Sequence, residues 1–173
     1  MADVPKTLAD GHTLLMLLAA KPADMKAPTV AEITAGKDIS CRITKADFRL
    51  SATASETVDG TALCDEATVN VFGASNFEGT IAPFRYFNPE QPGQHDTEGD
   101  FAFQAFKEKG VTLYLVVRST GKKYDAPIAA GDEVSVFEVI PDNWQAPSES
   151  GGFQRRVVPL SITKAELNAV VAA

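Results

Sequence analysis

Histidine, cysteine and tryptophan are scarce in this chain of 173 residues, which holds two histidines, two cysteines and one tryptophan. His12 stands in a polar N-terminal stretch and His95 in a Gly/Pro/Asp-rich one, and neither accompanies a nucleophile motif such as Gly-x-Ser-x-Gly. Nucleophilic catalysis needs a positioned base, so hydrolase-type chemistry is not expected. Cys41 and Cys64 lie 23 residues apart and belong to no Cys-x-x-Cys or Cys/His cluster of zinc spacing. A chain made in the cytoplasm keeps such thiols reduced, and Cys41, at an apolar-phase position, is expected as buried filler. Asp65-Glu66 beside Cys64 reads as a solvated charged turn, because adjacent carboxylates in extended chain point to opposite faces. A phosphate-cradling loop is missing too, since Gly73 and Gly79 are separated by a stretch that includes an acid, Glu78. No catalytic residue, metal or cofactor is therefore expected.

Long apolar runs are also lacking. The longest near-apolar run, Leu14 to Ala20, has seven residues, against about 18 for a membrane-crossing helix. It follows Lys6, Asp10 and His12 and precedes Lys21-Pro22 and Asp24, which is not the layout of a secretory signal. Neither a membrane anchor nor a leader is expected.

Positive charge is missing from the middle of the chain. Between Leu50 and Phe106 nine acids stand against one base, Arg85, and this third carries the whole excess behind the net charge of −7. Such a surface does not invite phosphate binding, which depends on Lys and Arg. The basic pairs Lys122-Lys123 and Arg155-Arg156 are too short for a nucleic-acid footprint. Apolar residues at 45 % and charged ones at 23 % do place the chain among folded globular proteins, and its length suits one domain.

What is present reads as mainly β. Residues 1 to 12 form a polar arm, and Leu14 to Ala20 is a short buried element. Thr29-Val30-Ala31-Glu32 is a capping-box pattern for a helical turn ending near Gly36. Ile39, Cys41 and Ile43 alternate with polar neighbours, as do Phe48, Leu50 and Ala52, which predicts a hairpin turning at Lys45-Ala46-Asp47. Residues 53 to 66 read as a long loop, Ala67 to Phe72 and Glu78 to Phe87 as two strands, the second interrupted by Pro83, and Asn88 to Gly99 as loop. Thr97 is expected to cap an amphipathic helix that carries Ala102, Phe103 and Phe106 and stops at Gly110. Strands follow over Val111 to Arg118, Glu133 to Ile140 and Phe153 to Ile162, with a Pro/Ser/Gly-rich mobile stretch at 143 to 152. Thr163-Lys164-Ala165-Glu166 reads as the capping box of a short terminal helix or arm. The expected fold class is α+β, mainly β: a sandwich or barrel with one flanking helix. Its divisions are an arm and first strand over 1 to 24, the β domain over 25 to 162, and a C-terminal arm over 163 to 173.

The order of these pieces resembles the tail tube proteins of long-tailed phages infecting actinobacteria and related hosts. Pro28-Thr29-Val30-Ala31-Glu32-Ile33 and Gly36-Lys37-Asp38-Ile39 are similar to the family's "P-T-x-x-E-L-x-x-G-x-D-I" lead-in, with Ile33 in place of the leucine. Ala54 to Asp59 with Leu63-Cys64-Asp65 resembles the loop that follows. Phe77-Glu78-Gly79-Thr80 and Tyr86-Phe87-Asn88-Pro89 resemble the next strands, and Tyr114 to Arg118 with Gly131-Asp132-Glu133-Val134 and Phe137 completes the series over about residues 25 to 140. The resemblance implies a β-sandwich or barrel flanked by a helix, shared with the tubes of contractile tails and of type VI secretion. It implies six-subunit rings that stack into a channel for DNA leaving the capsid, with a tape measure protein, a tail terminator and a distal tail protein as partners. It also gives the acidic third a use: Glu78 first, then Glu56, Asp59 and Asp65, are candidates to face the lumen and repel the DNA backbone. The alternative for them is an outer solvated surface or a ring-to-ring ion pair with Arg42, Arg49 or Arg118. Ser55, Thr57, Val58 and Leu63 are the candidate ring-contact loop. The rival readings are a tail terminator or distal tail ring of the same fold, and a soluble carbohydrate-binding module, which would need surface aromatics around a polar groove.

Overall fold

The computed structural model describes residues 5–149 and 151–173. Nine strands and two short helices follow one another as β1 (Thr13–Leu17), α1 (Val30–Thr34), β2 (Lys37–Asp38), β3 (Arg49–Thr53), β4 (Thr57–Asp59), β5 (Asn70–Phe72), β6 (Asn76–Ile81), α2 (Phe101–Phe106), β7 (Leu113–Ser119), β8 (Glu133–Pro141) and β9 (Val158–Val170). Seven strands make one antiparallel sheet in the order β2-β1-β7-β8-β9-β6-β3, and β4 and β5 pair as a separate hairpin. The fold is mainly β, and its strand pairing does not close on itself, since β2 and β3 are outer strands of the large sheet.

Period-two alternation sends successive side chains to opposite faces, and here both faces are covered. On one side Leu15, Leu115, Phe137, Val139, Val158, Leu160 and Ile81 pack with Ala102 and Phe106 of α2 and with Ile39 and Ile43. On the other, Leu14, Met16, Val116, Val134, Val136 and Ala169 pack with Ile33 of α1, Met25, Ile128 and Val171. Each fully buried Val, Leu, Ile or Phe contributes about 1.5–3 kcal/mol, so the two clusters hold the sheet from both sides.

The capping box at α1 forms as the sequence indicates: the Thr29 hydroxyl accepts from Glu32 N–H at 3.2 Å, and the Glu32 carboxylate accepts from Thr29 N–H at 2.8 Å. That carboxyl, which also accepts from Ala23 N–H, is held below its ordinary value by the Ala23 and Thr29 hydrogen bonds. Gly36 follows because a Cβ there would lie 2.6 Å from the Leu17 carbonyl oxygen.

Four expectations need correction. Ile39, Cys41 and Ile43 do not form a strand: Ser40–Arg42 is a 3₁₀ turn that buries Ile39 and Ile43 and leaves Cys41 exposed, so Cys41 is not buried filler. The Asp38 carboxylate accepts from both the N–H and the hydroxyl of Ser40, at 2.8 and 2.6 Å, a local bond that competes with a ladder. The hairpin partner of β3 is accordingly β6, with Arg49 opposite Thr80 and Thr53 opposite Asn76. The loop expected at 53 to 66 contains β4. Asp100, not Thr97, occupies the cap position of α2.

The fourth correction concerns the end of the chain. Thr163 to Glu166 form no helix; they continue β9, which pairs with β8 as far as Val170 opposite Glu133. β9 carries two register shifts, each adding a residue on its side, between the partners of Glu138 and Val139 and between those of Val134 and Val136. Each bulge reverses the in/out alternation, which is why the period-two pattern fades after Ile162. Of the 143 to 152 stretch, residue 150 lies outside the described residues.

Candidate assembly surfaces

Register divides the β3–β6–β9 end of the sheet into an apolar and a polar face. Leu50, Gly79 and Leu160 lie across from one another on the core side. The intervening residues Arg49 and Ser51 on β3, Glu78 and Thr80 on β6, and Pro159 and Ser161 on β9 share the opposite side, where all are half-buried or exposed. Lys164 opposite Glu138 continues this face toward β8. On this face Arg49 pairs with Glu78, and Lys21 pairs with Glu138 at 3.6 Å, while Lys164 is exposed. β3 is hydrogen-bonded in the sheet only to β6, so one row of its backbone groups is free to template a strand from another chain.

The arm formed by β4 and β5 projects from the far end of the β3–β6 ladder. Thr57 faces Phe72, Val58 faces Val71 and Asp59 faces Asn70. Glu56 N–H donates to Ala74 O at 3.1 Å, and Gly73 N–H donates to Glu56 O at 2.7 Å, which fixes the base. At the tip the Asp59 carboxylate accepts from Thr61 N–H at 2.9 Å, and that of Asp65 from Ala62 N–H at 2.7 Å. Hydrogen bonds from the Thr61 hydroxyl and N–H hold the Asp59 carboxyl below its ordinary value. Every arm residue is exposed, including Val58, Val71, Phe72 at 81 % and Leu63 fully. A two-stranded hairpin is marginal by itself, and large apolar groups clustered in solvent mark a contact surface.

Two buried ion pairs position the loops around this frame. Asp100, fully buried, accepts from Arg85 Nε at 2.9 Å, from Tyr86 N–H at 2.9 Å and from the Gln104 amide at 2.7 Å. Burial pushes its carboxyl up, but Arg85, Tyr86 and Gln104 together outweigh that and leave it below the ordinary value. The Arg85 guanidinium lies 4.0 Å from the Phe103 ring centroid, locking the 82 to 88 segment to α2. Arg118, also fully buried, donates to the carbonyls of Lys123, Ala126 and Pro127 at 2.7, 2.9 and 3.2 Å, and Asp132 lies at 3.5 Å. It therefore gathers the 120 to 132 loop and is not available for a ring-to-ring ion pair. Arg42 donates to Gly99 O at 2.7 Å and stacks between Tyr86 and Phe101.

The structure thus separates the sequence candidates. Glu78 stands on the polar sheet face, while Glu56, Asp59 and Asp65 lie on the arm with Thr57, Val58 and Leu63, and half-buried Ser55 precedes it. The buried pairs had no sequence signature, because Arg85 and Asp100 are brought together by the fold across a loop. Among the described residues no group of three or more His, Cys, Asp and Glu could hold a metal, and no helix is long and apolar enough to cross a membrane.

A polar sheet face, an edge strand open on one side and an apolar-tipped arm are the features of a structural protein that works by assembly. The chain belongs to the phage tail tube protein family, whose model matches residues 1–173 in full. It is a structural, non-enzymatic protein of the bacteriophage tail, as its order of motifs indicates. Its fold is similar to a chain in the six-fold symmetrised cryo-EM structure of the anti-feeding prophage (AFP) baseplate, with a TM-score of 0.53 and 12 % identity over 96 % of this chain and 98 % of that one. No curated protein matches it.

Proposed function

We propose that six copies of this chain form a ring, that rings stack into the tail tube, and that DNA passes through the tube during ejection. The observation that carries this is the polar β3–β6–β9 face ending at the unpaired edge of β3. A neighbour's strand on that edge would satisfy its backbone groups, and repetition around a ring would complete the open sheet into a closed barrel with the polar face inward. The six-fold symmetry of the AFP baseplate structure supports this ring order. In this arrangement Glu78 faces the lumen, and the arm carries Glu56, Asp59 and Asp65, with Ser55, Thr57, Val58 and Leu63, to the ring interface. DNA carries about one negative charge per 1.7 Å of axis, and with Arg49 held by Glu78 and Lys21 by Glu138 the wall offers it little beyond Lys164 to bind, so it slides without specific binding. Assembly takes place in the host cytoplasm, and the tape measure, tail terminator and distal tail proteins complete the tail.

The baseplate origin of the similar structure favours a second reading, a ring-forming tail protein that does not polymerise, such as a distal tail or terminator ring. Negative-stain microscopy of the purified protein separates the two. Hollow tubes of stacked rings are expected, discrete single rings would favour the second reading, and a protein that stays monomeric at every concentration would overturn both.

A further inference from the structure

The seven-stranded sheet is open in its pairing, yet residues 39 to 42 connect its two sides. On the β1 side Asp38 lies opposite Met16, and Ile39 N–H donates to Leu15 O at 3.0 Å. On the other side Ile43 bridges Pro83, Thr44 N–H donates to Ala82 O at 3.0 Å, and Phe84 N–H donates to Arg42 O at 2.9 Å. The opposite flank of Pro83 is taken by Arg156 N–H, so the 42 to 44 stretch runs along the same side of β6 and its continuation as β3 does. Six inter-strand spacings of about 4.8 Å would hold the two sides of a flat seven-stranded sheet about 29 Å apart. The chain from Asp38 to Ile43 reaches at most about 18 Å even when extended, and the Ser40–Arg42 turn shortens it. The sheet is therefore curled through about half a turn around the core that holds Ile39 and Ile43, with the polar β3–β6–β9 face on the outside of the curl.

Ser40 pins this connector. Its N–H and hydroxyl both donate to the Asp38 carboxylate, at 2.8 and 2.6 Å, and its hydroxyl oxygen accepts from Leu15 N–H at 2.8 Å. We propose that the connector is a clasp that sets the angle between the two sides of the sheet, with Asp38 and Ser40 as its positioning residues, and through that angle the number of copies in a ring. This rests on the ring reading and names what fixes its six-fold order. In a head-to-tail ring each copy turns the next by about 60° for six copies and about 51° for seven, and the ring closes only where the two contact surfaces of a subunit stand at that angle. With β3 at one side and β1–β2 at the other as those surfaces, a change of about 9° decides between six and seven. The twist between neighbouring strands ranges from about −10 to −35°, so an untied sheet could supply that change with about 1.5° at each of its six spacings. Strand pairing alone leaves the number open. A short strut across the curl, held at Ser40, fixes it.

The test is the rotational symmetry of the assembled rings, read from end-on views of tubes in cryo-EM, which a merely stabilising contact would not move. The parent and Ser40→Thr, which keeps the hydroxyl, should be uniformly six-fold. Ser40→Ala, and separately a chain with two glycines inserted between Cys41 and Arg42, should keep the parent's circular dichroism and a cooperative melt but polymerise with mixed symmetry, five- or seven-fold rings appearing beside six-fold ones. Uniform six-fold tubes of parental diameter from whichever of the two variants folds, or folded variants that no longer assemble, overturn the clasp and leave the ring reading standing. Loss of the cooperative melt in both variants overturns it as well, since the connector is then a folding element only. A parent that forms no rings overturns both.

Discussion

Ending the chain after Ile162 should prevent folding. The cut removes the β9 residues that pair with Glu133, Val134, Val136, Phe137 and Glu138 of β8. It also removes Val171, 2 % exposed in the core, and five backbone bonds beyond the ladder: Gly131 N–H to Val171 O, Val171 N–H to Asp132 O, Val170 N–H to Lys26 O, Ala172 N–H to Pro28 O and Val30 N–H to Ala172 O. At about 0.5–1.5 kcal/mol per hydrogen bond and about 1.5–3 kcal/mol for the buried valine, these terms alone come to about 4–10 kcal/mol. The net stability of a domain is about 5–15 kcal/mol, and the loss of half the β8–β9 ladder is still uncounted. The assay is soluble expression followed by circular dichroism and thermal melting of the chain ending at Ile162, beside the full chain. An insoluble or unfolded product is expected. A soluble truncated protein with a cooperative transition would refute this and return residues 163 to 173 to the status of a dispensable arm.

Replacing Asp100 by Ala strands the buried Arg85 guanidinium and should cost about 3–5 kcal/mol, read as a lower melting temperature at neutral pH. Because the Asp100 carboxyl is held below its ordinary 3.8, its stabilisation is complete above that value and fades as pH falls through the native one; the gap between variant and parent should therefore narrow in acid, and a gap independent of pH would contradict it. In the soluble subunit the 56 to 73 arm should exchange its amide hydrogens fast and become protected on polymerisation, since an isolated hairpin is marginal; strong protection in a proven monomer would count against an assembly role. Glu78→Lys should leave assembly intact, its exposed pair with Arg49 being worth at most about 1 kcal/mol, but should slow DNA ejection; normal ejection from intact tubes would remove Glu78 from the lumen.

Local signals were legible wherever one rule acted alone. The Thr29/Glu32 capping box, the apolar face of α2 and the alternation through β7 and β8 all appear as the residue types indicate. Signals failed where a second interaction competed. At Ile39 to Ile43 the Asp38–Ser40 bonds convert an alternating pattern into a 3₁₀ turn that still buries both isoleucines. Along β9 two bulges invert the alternation, so a 13-residue strand reads as a short strand followed by a capping box. The acidic third pointed to a functional surface but not to its division between a sheet face and an arm. That division depends on the pairing of β3 with β6, a contact between residues more than twenty apart in sequence.

Helical cryo-EM reconstruction of the polymerised protein tests the tube reading most directly. A six-fold hollow tube is expected, with Glu78, Ser51 and Ser161 facing the channel and the free edge of β3 hydrogen-bonded to the next subunit. A channel walled by other elements, with Glu78 on the outer surface and β3 unpaired, would contradict it.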